Sequence, residues 1–330
     1  MNSLLALELV ERVQMIPLGT TVRIEVNGPD DVDTINRWTQ STGNTLLTVH
    51  GDSVEILRGR VTDPIEALAP DKRPGHRLWI YTNFSCNLQC DYCCVEASPK
   101  VDPRTITVDE FEKIIDQAKN SNVKEVFITG GEPFMLIDLD ERLNLSTKIF
   151  PTTVLTNAMV FTGERRRRLE NVDRNNLTLQ ISLDSATPDL HDLHRGQGSF
   201  DKALAGIKFA IESGFRVRVA ATLGEDAGET ESEWNALCDD LKLEQDQRVI
   251  RRIAKQGYAN AGLVMSRASL IPEVCITKEG VYWHPVAAID PSMKVQNDWS
   301  PLAETISTIK DEYRQHRIKG DVLASAFPCA

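Results

Sequence analysis

Three cysteines stand in the run Thr82-Asn-Phe-Ser-Cys86-Asn-Leu-Gln-Cys90-Asp-Tyr92-Cys93-Cys94, a C-x3-C-x2-C array directly after a short apolar stretch. Thiolates grouped so tightly can share a metal centre, because a small loop wraps it without the entropic cost of closing a long segment. Three thiolates are one ligand short of a closed tetrahedron. A structural zinc site would be completed by a fourth Cys or His, whereas an iron-sulfur cluster or a catalytic metal can leave one position open. No well-spaced fourth ligand lies nearby. Cys94 adjoins Cys93, so its side chain points elsewhere in an extended loop, and it reads as a small buried hydrophobe.

Four further segments carry groups suited to holding a ligand. Gly130-Gly131-Glu132-Pro133 joins two glycines, which allow close backbone approach, to a carboxylate that can meet an ammonium group. Thr156-Asn157, Ser182-Leu-Asp184-Ser185 and His194-Arg195-Gly196 follow in order. Each has a plainer explanation as well: a turn for the glycines, a turn cap for Asn157, a helix start for Asp184, and for Arg195 an ion pair with Asp192. With Tyr92 in the aromatic position of the cysteine loop, the set resembles the radical S-adenosylmethionine (radical SAM) superfamily, in the branch of the molybdenum-cofactor cyclase and the SPASM or twitch peptide-modifying enzymes.

The resemblance implies that Cys86, Cys90 and Cys93 hold three irons of a [4Fe-4S] cluster whose fourth iron is chelated by the methionine moiety of S-adenosylmethionine. Tyr92, Gly130, Gly131, Glu132, Pro133, Asn157, Ser182, Asp184 and Arg195 are the matching cofactor contacts, with Glu132 toward the amino group and Arg195 toward the carboxylate. Leu223 is a candidate for the adenine pocket. Implied too are reductive cleavage to a 5′-deoxyadenosyl radical, hydrogen abstraction from a peptide or small-molecule substrate, and a one-electron reductant such as a flavodoxin or ferredoxin. Two other classes stay open: a catalytically idle, cluster-bearing binding or sensor protein, and a zinc-stabilised structural domain.

Such a site needs a frame, and 330 residues suffice for a mid-sized barrel with small additional domains. Net charge is −11, which argues against nucleic acid as a main partner. No apolar run approaches the roughly 20 residues of a membrane span, and the N-terminal stretch lacks a signal peptide's basic start. Seven cysteines, three of them in one loop, are no disulfide framework, and a soluble, cytoplasmic protein is expected.

Six strand-like runs alternate with helical stretches: Leu78–Tyr81, Val123–Thr129, Thr153–Thr156, Leu177–Leu183, Phe215–Thr222 and Val249–Ile253. Repeated βα units imply a parallel sheet with right-handed crossovers, and functional loops after the strand ends. The expected fold is α/β, a partial (β/α)6 TIM-type barrel over residues 76–253, matching the resemblance. Thr107 and Glu110 form a capping box for a helix from Val108 to Ala118. The four arginines Arg165 to Arg168 spread over all faces of a helix and read as a solvated outer surface.

Residues 1–60 read as helix (Leu4 to Met15), strand (Thr21–Val26), helix (Val32–Thr42) and hairpin, an α+β domain resembling the sulfur carriers of the TusA type without their first strand. That family's persulfide cysteine is missing, since no cysteine precedes Cys86, so a docking or structural appendage for a protein partner is expected. A Pro-rich linker spans 61–75. The remaining 254–330 should cap the barrel, with a strand at Val264–Ile271, a hairpin around Lys278-Glu-Gly280 and a helix from Leu302 to His316. The family branch places auxiliary Fe-S clusters here. Only the widely spaced Cys238, Cys275 and Cys329 are available, so such a cluster is the minority reading. His284 is a candidate base, with a structural histidine as the plainer reading.

Overall fold

The computed structural model describes residues 3–14, 16–59, 63–66, 68–223 and 231–326. Met15 and Cys329 lie outside the described residues, as do the side chains of Leu4, Leu7 and Val10. The chain divides into two compact units, Met1–Pro70 and Asp71–Ala330.

In the first unit α1 (Ser3–Gln14) and β1 (Thr21–Glu25) precede α2 (Pro29–Thr42), then β2 (Thr45–His50) and β3 (Ser53–Leu57) form a hairpin. β3 lies between β1 and β2, antiparallel to both. The helical stripe of α1 supplies Leu5, Leu9 and Val13, which pack with Ile35 of α2 on the sheet residues Ile24, Val54 and Ile56. α2 starts three residues earlier than its apolar pattern predicts, because Pro29 is preset for the first helical turn and Asp30 and Asp31 favour its N-terminus.

In the second unit six strands run parallel: β4 (Arg77–Tyr81), β5 (Glu125–Thr129), β6 (Thr152–Thr156), β7 (Leu177–Ser182), β8 (Arg216–Leu223) and β9 (Arg248–Arg252). The helices α3 (Val108–Lys119), α4 (Leu139–Thr147), α5 (Gly163–Glu170), α6 (Pro188–Arg195), α7 (Ser199–Glu212) and α8 (Glu231–Asp240) lie in the crossovers. Alternation along each strand divides its residues. Leu78, Ile80, Val126, Ile128, Leu179, Ile181 and Val219 face away from the cavity and are buried with Phe111, Ile114 and Ile207 of the helices, while Trp79, Tyr81, Phe127, Gln180, Ser182 and Thr222 line a central cavity. This is the α/β partial barrel expected from the six βα units.

The segment after β9 extends the barrel sheet. β10 (Val274–Thr277) pairs parallel with β4, and β11 (Gly280–Tyr282) and β12 (Lys294–Gln296) add antiparallel strands beyond it. α9 (Leu302–Ala326) buries Leu302, Ile306, Ile309 and Tyr313 and packs beside α3, where Gln117 accepts from the Leu302 N–H at 2.8 Å. The strand expected at Val264–Ile271 does not form. Its chain is a turn-rich connection anchored by a single bridge between Ala254 and Leu263, and Val264 is 76% exposed, so the apolar residues there have no sheet edge to join. No helix among the described residues is long and apolar enough to cross a membrane.

Candidate functional site

Cys86, Cys90 and Cys93 all border the cavity, about 650 Å³, at the carboxyl ends of the parallel strands. Their loop is fastened at both ends. The Cys86 N–H donates to the Ser98 carbonyl at 3.3 Å, and the Tyr258 N–H donates to the Cys93 carbonyl at 3.0 Å. Gly257 makes the second clamp possible: its φ is +58°, and a Cβ there would lie 2.3 Å from the Cys93 carbonyl oxygen. Two sulfurs face backbone donors, Leu88 N–H to Cys86 Sγ at 3.4 Å and Ala97 N–H to Cys93 Sγ at 3.3 Å. Burial pushes the Cys86 thiol up to about 12 and the Cys90 thiol up to about 11, so a metal is needed to draw them into the thiolate form.

Among the described residues no three His, Cys, Asp or Glu side chains converge on one metal ion. Cys94 borders the same cavity, its thiol pushed up to about 12 by burial, instead of pointing away from it.

The end of β5 is stapled to the root of this loop. Gly131 N–H donates to the Asn83 carbonyl at 3.0 Å, Glu132 N–H donates to the Ser85 carbonyl at 2.9 Å, and Asn83 Nδ2 donates to the Glu132 carbonyl at 3.1 Å. A Cβ on Gly131 would lie 2.3 Å from the Ser85 carbonyl oxygen, and one on Gly130 2.5 Å from that of Asn83, so both glycines serve close packing of two strand ends. Pro133 opens a buried 3-10 turn, Pro133–Met135.

Glu132 is 1% exposed and accepts from the Phe134 N–H (3.0 Å), the Thr156 hydroxyl (2.7 Å) and the Asn157 N–H (2.7 Å). Burial raises its pKa to about 7 against these donors. Asn157 also donates from Nδ2 to Asn87 at 2.8 Å, with Cys86 Sγ 3.9 Å away. Glu132 and Asn157, from different strand ends, thus form one network beside Cys86.

A second network joins Tyr92, Asp184 and Arg195. Arg195 meets Asp184 through Nε and Nη2, the latter at 3.2 Å, and the Tyr92 hydroxyl also donates to Asp184. The Thr222 N–H completes the set at 3.0 Å. Burial opposes ionisation of Asp184, but the facing guanidinium prevails and holds its pKa below the usual carboxylate value. Asp192, the partner considered from sequence, instead caps α7 through the Gly198 and Phe200 N–H groups. Ser182 borders the cavity, whereas alternation along β8 turns Thr222 inward and leaves the buried Leu223 off its lining.

Sequence reasoning missed His191, which is 1% exposed and whose Nδ1 accepts from the Asp184 N–H at 3.1 Å. It also missed Asn87 and the Thr156 hydroxyl, both local to residues already singled out. Met265, Leu270, His284 and Pro285 bring the C-terminal segment to the cavity. The His284 ring accepts from the Val286 N–H at 3.2 Å and burial lowers its pKa, as for a structural histidine. Arg165 to Arg168 each have a partner within the protein: the Phe134 carbonyl, Glu170, Glu164 and Asp140 respectively.

A parallel βα barrel with a thiol loop after its first strand and a buried glutamate after its second defines a class, and residues 80–241 match the Radical SAM superfamily. The chain is 34% identical over 154 residues to the antilisterial bacteriocin subtilosin biosynthesis protein AlbA of Bacillus subtilis, covering 46% of this chain and 34% of that protein. It is likewise 34% identical over 133 residues to the mycofactocin maturase MftC of Mycolicibacterium smegmatis, covering 40% of this chain and 33% of that protein. The chain thus spans about a third of the length of these curated relatives. Among solved structures, anSMEcpe with bound AdoMet shares the fold at a TM-score of 0.54 and 14% identity, covering 72% of this chain and 82% of that one. SuiB of Streptococcus suis bound to S-adenosylmethionine does so at 0.50 and 24%, covering 59% and 45%.

Proposed function

We propose that this protein is a radical SAM enzyme, in which Cys86, Cys90 and Cys93 hold a [4Fe-4S] cluster and the adjoining strand ends hold S-adenosylmethionine. The observation that carries this reading is the junction of the thiol loop with the Glu132–Asn157 network around one cavity. When bound, the cluster and S-adenosylmethionine supply a one-electron route to a 5′-deoxyadenosyl radical that takes a hydrogen atom from the substrate.

The residues of the chain bind, orient and shield. Glu132, held by three donors on its two oxygens, offers a fixed carboxylate toward an ammonium group. Ser182 and Asn157 offer neutral polar groups, and Tyr92 with Asp184 fixes the loop and the Arg195 plane. Because Asp184 already occupies two donors of Arg195, only its remaining N–H groups are free for a cofactor carboxylate. The C-terminal segment, with Met265, Leu270 and His284, covers part of the cavity and helps exclude water.

Anaerobic reconstitution with iron and sulfide, then addition of reductant and S-adenosylmethionine, should release 5′-deoxyadenosine and give about four irons per chain. Cys90→Ala should bring iron close to zero; a full cluster in that variant would sink the ligand assignment. About eight irons would instead establish an auxiliary cluster. Of the cysteines that could serve one, Cys238 is buried in α8 and Cys275 in β10 beside Cys94.

The substrate is a peptide or a small molecule, and the electron donor a flavodoxin- or ferredoxin-like protein. The α1-β1-α2-β2-β3 order and the lack of any cysteine before Cys86 support reading residues 1–60 as a TusA-like appendage that docks a partner without carrying sulfur. Incubation with a cysteine desulfurase and labelled sulfur should leave these residues unlabelled.

A further inference from the structure

Among the described residues, two buried side chains hold a polar atom without a partner, Asn83 and Gln180. Asn83 does not border the cavity, and its amide nitrogen is committed to the Glu132 carbonyl. Gln180 of β7 is different: it is 3% exposed, it borders the cavity, and its Nε2 makes no hydrogen bond. A buried donor left unpaired costs the fold more than an apolar side chain of the same size, so an acceptor from outside the chain is its natural partner.

Its depth separates it from the residues at the strand ends. Gln180 shares the inward face of β7 with Ser182 but stands two residues further from the carboxyl end, about 7 Å deeper. Ser182, Glu132 and Asn157 lie beside the cysteine loop, whereas Gln180 is level in the ladder with Leu155 of β6 and Arg218 of β8. The charges at this depth are engaged: Arg218 donates to the Asp246 carbonyl at 3.4 Å, and Glu273 meets Arg77 and the Trp79 indole N–H. His284, which also borders the cavity, accepts at Nδ1 from the Val286 N–H, so its neutral ring carries its proton on Nε2. Trp79 and Phe127, stacked at 4.4 Å, and Leu155 add an apolar wall.

We infer that Gln180 is a substrate-binding residue, whose Nε2 donates to a neutral carbonyl oxygen of a substrate with an apolar part against Trp79 and Phe127. Rotation of the amide about its last bond, a broad torsion, brings the N–H pair to the cavity. An uncharged donor beside an apolar wall suits a neutral carbonyl, because one neutral hydrogen bond does not offset the desolvation of a carboxylate. This names a group on the substrate of the enzyme proposed above and rests on that reading.

The test uses Gln180→Met, which keeps the side chain's length and removes its donor, and Gln180→Leu as a second variant. Neither should lower the urea midpoint, since no internal hydrogen bond is lost; a lower midpoint in both would show the amide bonded within the protein and overturn the inference. Benzamide, a neutral aromatic amide, is then titrated by ligand-observed NMR into the reconstituted holoenzyme under saturating S-adenosylmethionine. It should bind the wild type more tightly than benzoate does, and Gln180→Met should weaken it about fivefold while S-adenosylmethionine affinity is unchanged. The inference is overturned if benzamide fails to bind, if the substitution leaves its affinity unchanged, or if benzoate binds better. It is also overturned if the variant loses S-adenosylmethionine affinity, since the amide would then serve the cofactor. Failure of the enzyme reading shows separately, as absence of cluster iron or of 5′-deoxyadenosine.

Discussion

On the cavity wall built from the ends of β4 to β7, Glu132, Asp184 and Arg195 are fixed by partners within the protein, whereas on the β8–β9 wall the exposed Arg251 side chain has none among the described residues. The first arrangement is pre-organised: its hydrogen bonds are made before any ligand arrives, and its groups contribute to the fold as well as to binding. The second is a solvent-exposed charge. Substitutions should therefore cost stability on the first wall and little on the second.

The largest effect is expected from Asp184→Asn, which strands the 10%-exposed Arg195 side chain without its counter-charge and should cost about 3–5 kcal/mol in urea unfolding. Loss of less than about 1 kcal/mol would mean the pair is not the keystone of that wall.

A smaller loss should follow acidification. Burial holds the His191 pKa at about 4, below its usual 6.5, with the Arg195 charge acting in the same direction. The unfolded chain binds the proton first as pH falls, so stability should drain between pH 6.5 and 4 by about 3 kcal/mol, and be fully present above 6.5. His191→Gln should flatten that slope; an unchanged slope would remove His191 from the account.

Gly131→Ala, with its Cβ forced against the Ser85 carbonyl, should cost about 1–3 kcal/mol and loosen the cysteine loop, read as faster amide exchange at Glu132. Arg251→Gln should change stability least, within about 0.5 kcal/mol and with no set sign. A loss there as large as that of Asp184→Asn would erase the contrast between the walls.

The parts of the site legible in the sequence were those with a local signature. The cysteine loop, the Gly-Gly-Glu-Pro turn and the Ser182–Asp184 strand end each lie within a few residues and follow an apolar strand, so periodicity located them. The contacts between them were not legible. Nothing near Asp184 specifies that Tyr92, 92 residues earlier, will donate to it, or that Arg195 will choose it over the nearer Asp192. Asp192 was taken up by α7, whose N-terminal amides offered it a cap, and α6 itself escaped notice because only His191 of its eight residues is buried. The 273–284 hairpin was readable from its own turn, but its alignment on β4 depends on a strand far away in the chain.

That alignment bears on how the protein is made. Val274 to Ile276 cover the outer edge of Leu78 to Ile80, closing a loop of about 200 residues. A ribosome working from the N-terminus will have released the whole run from β4 to β9 while this edge still offers unpaired backbone groups to any passing strand. The nascent barrel is therefore most exposed to mispairing just before β10 emerges, and slowing translation ahead of codon 274 should raise the aggregated fraction more than an equal pause after β12.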